Sequence, residues 1–129
     1  MKKIVLSFVL ILFGCGDDPS PTTASVPSAA NVAISHGGSP GCESSLSCFE
    51  PNTTAVARNG TVTWTNSTGA LHALVGGPPG SPNNDLGTSG SGAIQGGQFF
   101  QFTFTVAGTV NYHCQIHPWA QGFVQVDNQ

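Results

Sequence analysis

An all-β fold, an antiparallel β-sandwich of about seven or eight short strands, is what this sequence predicts. Three observations point there. Apolar residues recur at every second position in short runs, the period of a half-buried strand. Glycine and small polar residues are plentiful, with 17 glycines, while charged residues make up only 7% of the chain. Gly-, Pro- and Asn-marked turns separate the runs, and no helical stretch of useful length interrupts them. With 129 residues the chain has room for one domain.

The N-terminus reads as targeting rather than fold. Met1-Lys2-Lys3 is basic, and Ile4 to Phe13 is apolar except for Ser7. That run is too short to span a bilayer, so residues 1–14 are expected to be a signal peptide. Leu12-Phe13-Gly14-Cys15 resembles a bacterial lipobox, which predicts cleavage before Cys15 and acylation of its thiol. An ordinary secretory signal cleaved nearby is the alternative and leaves the compartment unchanged. The expected location is the periplasmic side of a bacterial membrane, lipid-anchored; in a Gram-negative source Gly16 after Cys15 leans toward the outer membrane, with inner and outer both left open. Residues 15–30, rich in Asp, Pro, Ser and Thr, predict a flexible tether, and residues 31–129 the folded domain.

The strands follow in order. Asn31 to Ser35 carries Val32 and Ile34 on one face. Thr53 to Ala57 is a second candidate and ends at the turn Arg58-Asn59-Gly60. Thr61 to Asn66 alternates β-branched and aromatic residues, with Trp64 expected in the core. Leu71 to Val75 is a short apolar run, and 76–97 reads as loop. Phe99 to Val106 sets Phe100, Phe102, Phe104 and Val106 on one face. Thr109 to Cys114 follows the turn Ala107-Gly108, and Gly122 to Asp127 closes the domain.

Loss of Lys2 and Lys3 with the signal leaves Arg58 as the single basic side chain against six acidic ones. Such a surface cannot neutralise phosphates, which excludes nucleic acid as a partner. Cys42 and Cys48 are expected to form a disulfide in an oxidising compartment. The competing reading, a Cys–Cys metal site, has no histidine beside it at ligand spacing. Cys114 is then a lone thiol in that compartment, a hazard unless a metal occupies it.

The chemistry concentrates in Tyr112-His113-Cys114-Gln115-Ile116-His117-Pro118-Trp119. A thiol and an imidazole stand three residues apart in a loop between strands, and His72 begins an earlier strand. A thiolate with two imidazoles suits copper, with a weak fourth ligand as the usual complement. C-x-x-H alone is weak evidence, since haem and zinc sites use similar spacings. Together with Val62-Thr63-Trp64-Thr65-Asn66 and, after a five-residue turn, His72, the segment resembles the cupredoxins, most of all plastocyanin and amicyanin, over roughly 31–127. The resemblance implies a Greek-key sandwich, one copper cycling between Cu(I) and Cu(II), and His72, Cys114 and His117 as its ligands. It further implies that Asn66 ties the two ligand-bearing loops together. The edge of the His117 ring is expected at the surface among Leu71, Pro118 and Trp119, an apolar patch for docking redox partner proteins. Trp119 as a plain core aromatic is the bland alternative. His113, beside Cys114 in a strand, should point away from the metal, and His36 in its Gly/Pro-rich stretch reads as a solvated loop residue.

The sequence departs from the cupredoxins at one position. Counting back from Gly122 puts Ala120 where the family has its axial methionine, and Met1 is the one methionine in the chain. The copper is then three-coordinate, or completed by water or a small ligand, or bound by Gln121 after a one-residue shift. The leading expectation is a monomeric, membrane-tethered one-electron carrier that is not an enzyme, with transient redox partners. The alternative is a periplasmic copper-handling protein, although the chain lacks Met- and His-rich segments. A third reading, an enzyme acting on a small ligand at the open axial position, lacks a nearby acid or base.

Overall fold

The computed structural model describes Gly14, Gly16 and residues 24–129. The expected signal peptide (Gly14 aside), Cys15 with its lipid and positions 17–23 of the tether lie outside the described residues. Sheet pairing begins at Ala29, two residues ahead of the expected domain start at Asn31. Pro27 and Ser28 are already engaged, accepting backbone hydrogen bonds from Ala57 and Thr61.

Among the described residues eight strands form two four-stranded sheets. They are β1 (Ala29–Ile34), β2 (Phe49–Glu50), β3 (Thr53–Ala57), β4 (Gly60–Asn66), β5 (Leu74–Gly76), β6 (Phe99–Phe104), β7 (Gly108–Cys114) and β8 (Gln121–Asp127). One sheet runs β2-β1-β4-β6, the other β3-β8-β7-β5. A single short 3₁₀ turn, Cys42–Ser45, is the helical content among the described residues. The eight-stranded sandwich is the expected one. Its sheets, however, are mixed: β1 pairs parallel with β4, and β3 parallel with β8. The chain leaves β1 by the long 35–48 connection, returns antiparallel beside it as β2, and then crosses to the other sheet as β3. The tight Arg58-Asn59 turn, where Asn59 takes a φ of 68°, then returns it as β4 alongside β1. Side-chain alternation reports a strand's faces but not its direction, so the parallel pairs leave no trace in the pattern.

Alternation does decide what is inside. Val62, Trp64 and Asn66 on β4 are buried, as are Val32 and Ile34 on β1 and Val124 and Val126 on β8. Trp64 fills the centre, stacked on Phe100 at 5.6 Å and meeting Tyr112 edge-on at 5.3 Å. Aromatic pairs in these geometries add about 0.5–1.5 kcal/mol beyond the area they bury. Gly122 is required where it stands: a Cβ there would overlap the Tyr112 phenol. β6 stops at Phe104, so Val106 lies beyond it and is 76% exposed instead of sharing the face of Phe104.

Candidate metal centre

One end of the sandwich gathers the chemistry. β7 ends on Cys114, whose thiol is fully buried and free. Its N–H donates to the Ala120 carbonyl at 3.0 Å, and the Ala120 N–H donates to the His117 carbonyl at 2.9 Å. These two bonds fold the 115–119 segment into a tight turn that brings the His117 ring back over Cys114. His72 arrives from the segment just ahead of β5. Leu74 of β5 pairs with Cys114 of β7, and the Gln115 N–H donates to the Ala73 carbonyl at 2.7 Å. His72 itself sits in an isolated bridge with Ile94, exchanging two backbone hydrogen bonds of 3.2 and 2.7 Å.

The result is a thiol between two imidazoles. Cys114 Sγ lies 3.7 Å from His72 Nδ1 and 3.4 Å from His117 Nδ1. Donors sharing one first-row ion, with bonds of about 2.0–2.1 Å to nitrogen and about 2.3 Å to sulfur, stand roughly 3.5–3.8 Å apart. The donor set and its spacing are compatible with copper.

Asn66 departs from its expected role. Its Nδ2 donates to the Ala70 and Ile94 carbonyls at 2.8 and 2.9 Å. Its Oδ1 accepts from the Thr68 N–H and the Thr68 hydroxyl at 2.9 and 2.8 Å. These bonds serve the segment leading to His72, and none reaches the Cys114 loop. The tie between the two loops is instead the backbone bond from Gln115 to Ala73. Asn66 acts on His72 through Thr68. A hydroxyl has one proton, here committed to Asn66 Oδ1, so at 3.1 Å from His72 Nε2 the Thr68 oxygen accepts. Nε2 therefore carries the ring proton, and Nδ1 turns a bare lone pair toward the thiol. Burial first, and then the neighbouring His117, lower the His72 pKa below its ordinary value, with a backbone hydrogen bond at His36 opposing.

His36 corrects the sequence reading. It is not a solvated loop histidine: it is 5% exposed, with its ring centroid 4.5 Å from that of His72 and 5.2 Å from that of His117. Neither ring nitrogen has a hydrogen-bond partner among the described residues. Desolvation, then the His72 and His117 charges, depress its pKa to about 4, so the ring is neutral. His36, His72 and His117 can each offer one donor atom within 4.8 Å of the others. The signal that could have found it is the alternation Val32, Ile34, His36, which continues the inward face of β1 past its end.

The other expected residues fall as follows. Ala120 is fully buried beside the site. Gln121 is exposed and opens β8, its neighbour Ala120 facing in, which counts against it as a ligand. His113 is buried with Nδ1 2.7 Å from the Gly77 carbonyl, turned away from the thiol. Leu71 is 46% exposed and Pro118 is exposed. Trp119 is half-buried at 5.4 Å from the His117 ring and lines a cavity of about 160 Å³ with Leu46 and Phe123. The outer edge of His117 is less open than expected. Gly38, at a φ of 93°, lies against it, and a Cβ there would come within 2.9 Å of Nε2. Cys42 and Cys48 are joined in a disulfide, which removes the Cys–Cys metal reading.

The fold is cupredoxin-like. No model of a known protein family matches the chain, but solved structures do. The chain is similar to a purple cupredoxin from Nitrosopumilus maritimus, at 25% identity over 76% of this chain and 99% of that one, with a TM-score of 0.66. It is similar also to a proline-to-glycine variant of amicyanin in its reduced Cu(I) form, at 28% identity over 77% and 82% of the two chains and a TM-score of 0.59. A methionine-to-alanine variant of amicyanin with Cu(I) matches at 28% identity over 80% and 86%, with a TM-score of 0.55.

Proposed function

We propose that this chain is an exported cupredoxin that carries single electrons, its copper held by His72, Cys114 and His117. The observation that carries the reading is one buried thiol with two imidazole Nδ1 atoms at 3.7 and 3.4 Å. A thiolate with two imidazoles is the donor set of blue-copper electron-transfer sites. Bound there, copper supplies a one-electron couple between Cu(II) and Cu(I). The chain's own part is to keep the donors still, and its hydrogen bonds support that role. Thr68 fixes the tautomer of His72, the Ala120 carbonyl anchors Cys114, and Ala73 and Gln115 lock the two segments together. The amicyanins to which the chain is similar are described in Cu(I) forms, which favours the same metal.

Transient redox partners belong to the reading, docking on the apolar rim of Leu71 and Pro118 beside His117, with Trp119 beneath. So do a lipid at Cys15 and a periplasmic location. Among the described residues no helix is long and apolar enough to cross a membrane.

Copper(II)-loaded protein should show an intense thiolate absorption toward the red end of the visible, and Cys114→Ser should abolish it. An oxidised, copper-loaded protein without that band sinks the reading. Slow electron self-exchange combined with ready release of Cu(I) would turn the assignment to copper handling.

A further inference from the structure

We propose that the imidazole of His36 is a fourth ligand to the ion held by His72, Cys114 and His117, supplied by the loop after β1. The inference rests on the copper reading above and goes beyond its three donors.

The buried ring is the first argument. A polar group taken out of water is hydrogen-bonded in nearly every case, yet both nitrogens of His36 are buried and unpartnered among the described residues. An apolar residue of similar size would fill the same space without that cost, so packing against Phe49, at 5.9 Å and edge-on, does not account for an imidazole here. An imidazole with both nitrogens unpartnered can offer one of them to a metal.

Position is the second argument. The ring lies edge-on to both His72 and His117, and each of the three histidines can present a donor atom within 4.8 Å of the others. Among the described residues, the other side chains weighed for the fourth position supply no donor. Ala120 offers none, Gln121 is exposed, and His113 is engaged with the Gly77 carbonyl. The loop that carries His36 is held in place: the Ser35 N–H donates to the Cys48 carbonyl at 3.1 Å, and Cys48 is bonded to Cys42.

The test compares the full chain with His36→Leu and His36→Gln, each loaded with copper(II). Pulsed EPR on chains carrying ¹⁵N-histidine counts the imidazoles coupled to the metal. The expected result is three in the parent and two in either variant, with the thiolate band retained but shifted in the variants. Metal-free His36→Leu should melt no lower than the metal-free parent, while its gain in Tm on adding copper should shrink. Two coupled imidazoles in the parent, beside an intense thiolate band, overturn the assignment of His36 and leave the three-donor site standing. A metal-free His36→Leu that melts lower, with an unshifted band when loaded, likewise makes His36 structural. A parent chain without any thiolate band removes the copper reading and this inference together.

Discussion

Thr68 illustrates how much one hydroxyl decides at this site. It hands its proton to Asn66 and takes that of His72, so replacing it leaves a buried amide oxygen short of one donor and the ring free to change tautomer. Thr68→Val is expected to cost about 1–2 kcal/mol of stability. It should weaken copper binding roughly 10–100-fold, the usual effect of losing a group that orients a ligand. Thermal melting and a competition titration measure the two effects. The histidines also set a pH dependence. His36 titrates near 4 when folded and near its ordinary 6.5 when unfolded, and His72 is lowered too. Between those values the unfolded chain binds more protons, so stability is full above about pH 6.5 and is lost as pH falls toward 4. The Tm of the metal-free chain across that window is the check, and a Tm that rises on acidification would contradict it. Bound metal excludes the proton, so the loaded protein should resist acid further down.

At the scale of elements, the connection from β1 to β2 matters most. It carries His36 and Gly38 over the site, and the Cys42–Cys48 bridge closes a short ring at its far end. In the chain-entropy account a ring of that size stabilises by about 2 kcal/mol. Replacing both cysteines with serine should lower the denaturation midpoint accordingly. The same change should broaden the visible and EPR spectra of the loaded protein by loosening the His36 loop. Unchanged spectra would uncouple the bridge from the site. Much of this element was hidden from the sequence. Gly37, Gly38, Pro40 and Gly41 read as loop, which they are, but loop residues draw attention away from an inward alternation that runs on to His36. β2 is two residues long and has no pattern to detect. Asn66 lay plainly on a strand, yet its partners depend on how the 67–71 turn closes, and that is decided by packing.

Over the whole molecule, the readable part was the part that local chemistry dictates. β-branched and aromatic alternation located β4, β6, β7 and β8 within one or two residues. The spacing of Cys114 and His117 announced a site because one turn can bring them together. What brings His72 to them is the register of β5 against β7, which no single strand encodes. Trp64 anchors the interior that keeps this register. Trp64→Ala should cost about 3–5 kcal/mol, a large part of the roughly 5–15 kcal/mol that holds a domain together, and denaturant unfolding measures it. A loss below about 1 kcal/mol would mean the interior is arranged differently. His36 extends a strand of one sheet, while Cys114 and His117 hang from the other. An ion shared between them clasps the sandwich at its rim, so that the two sheets can part only after the ion lets go. Copper held in that way would set how fast the protein comes apart, and in forced or thermal unfolding the loaded chain should outlast the empty one by its rate of opening.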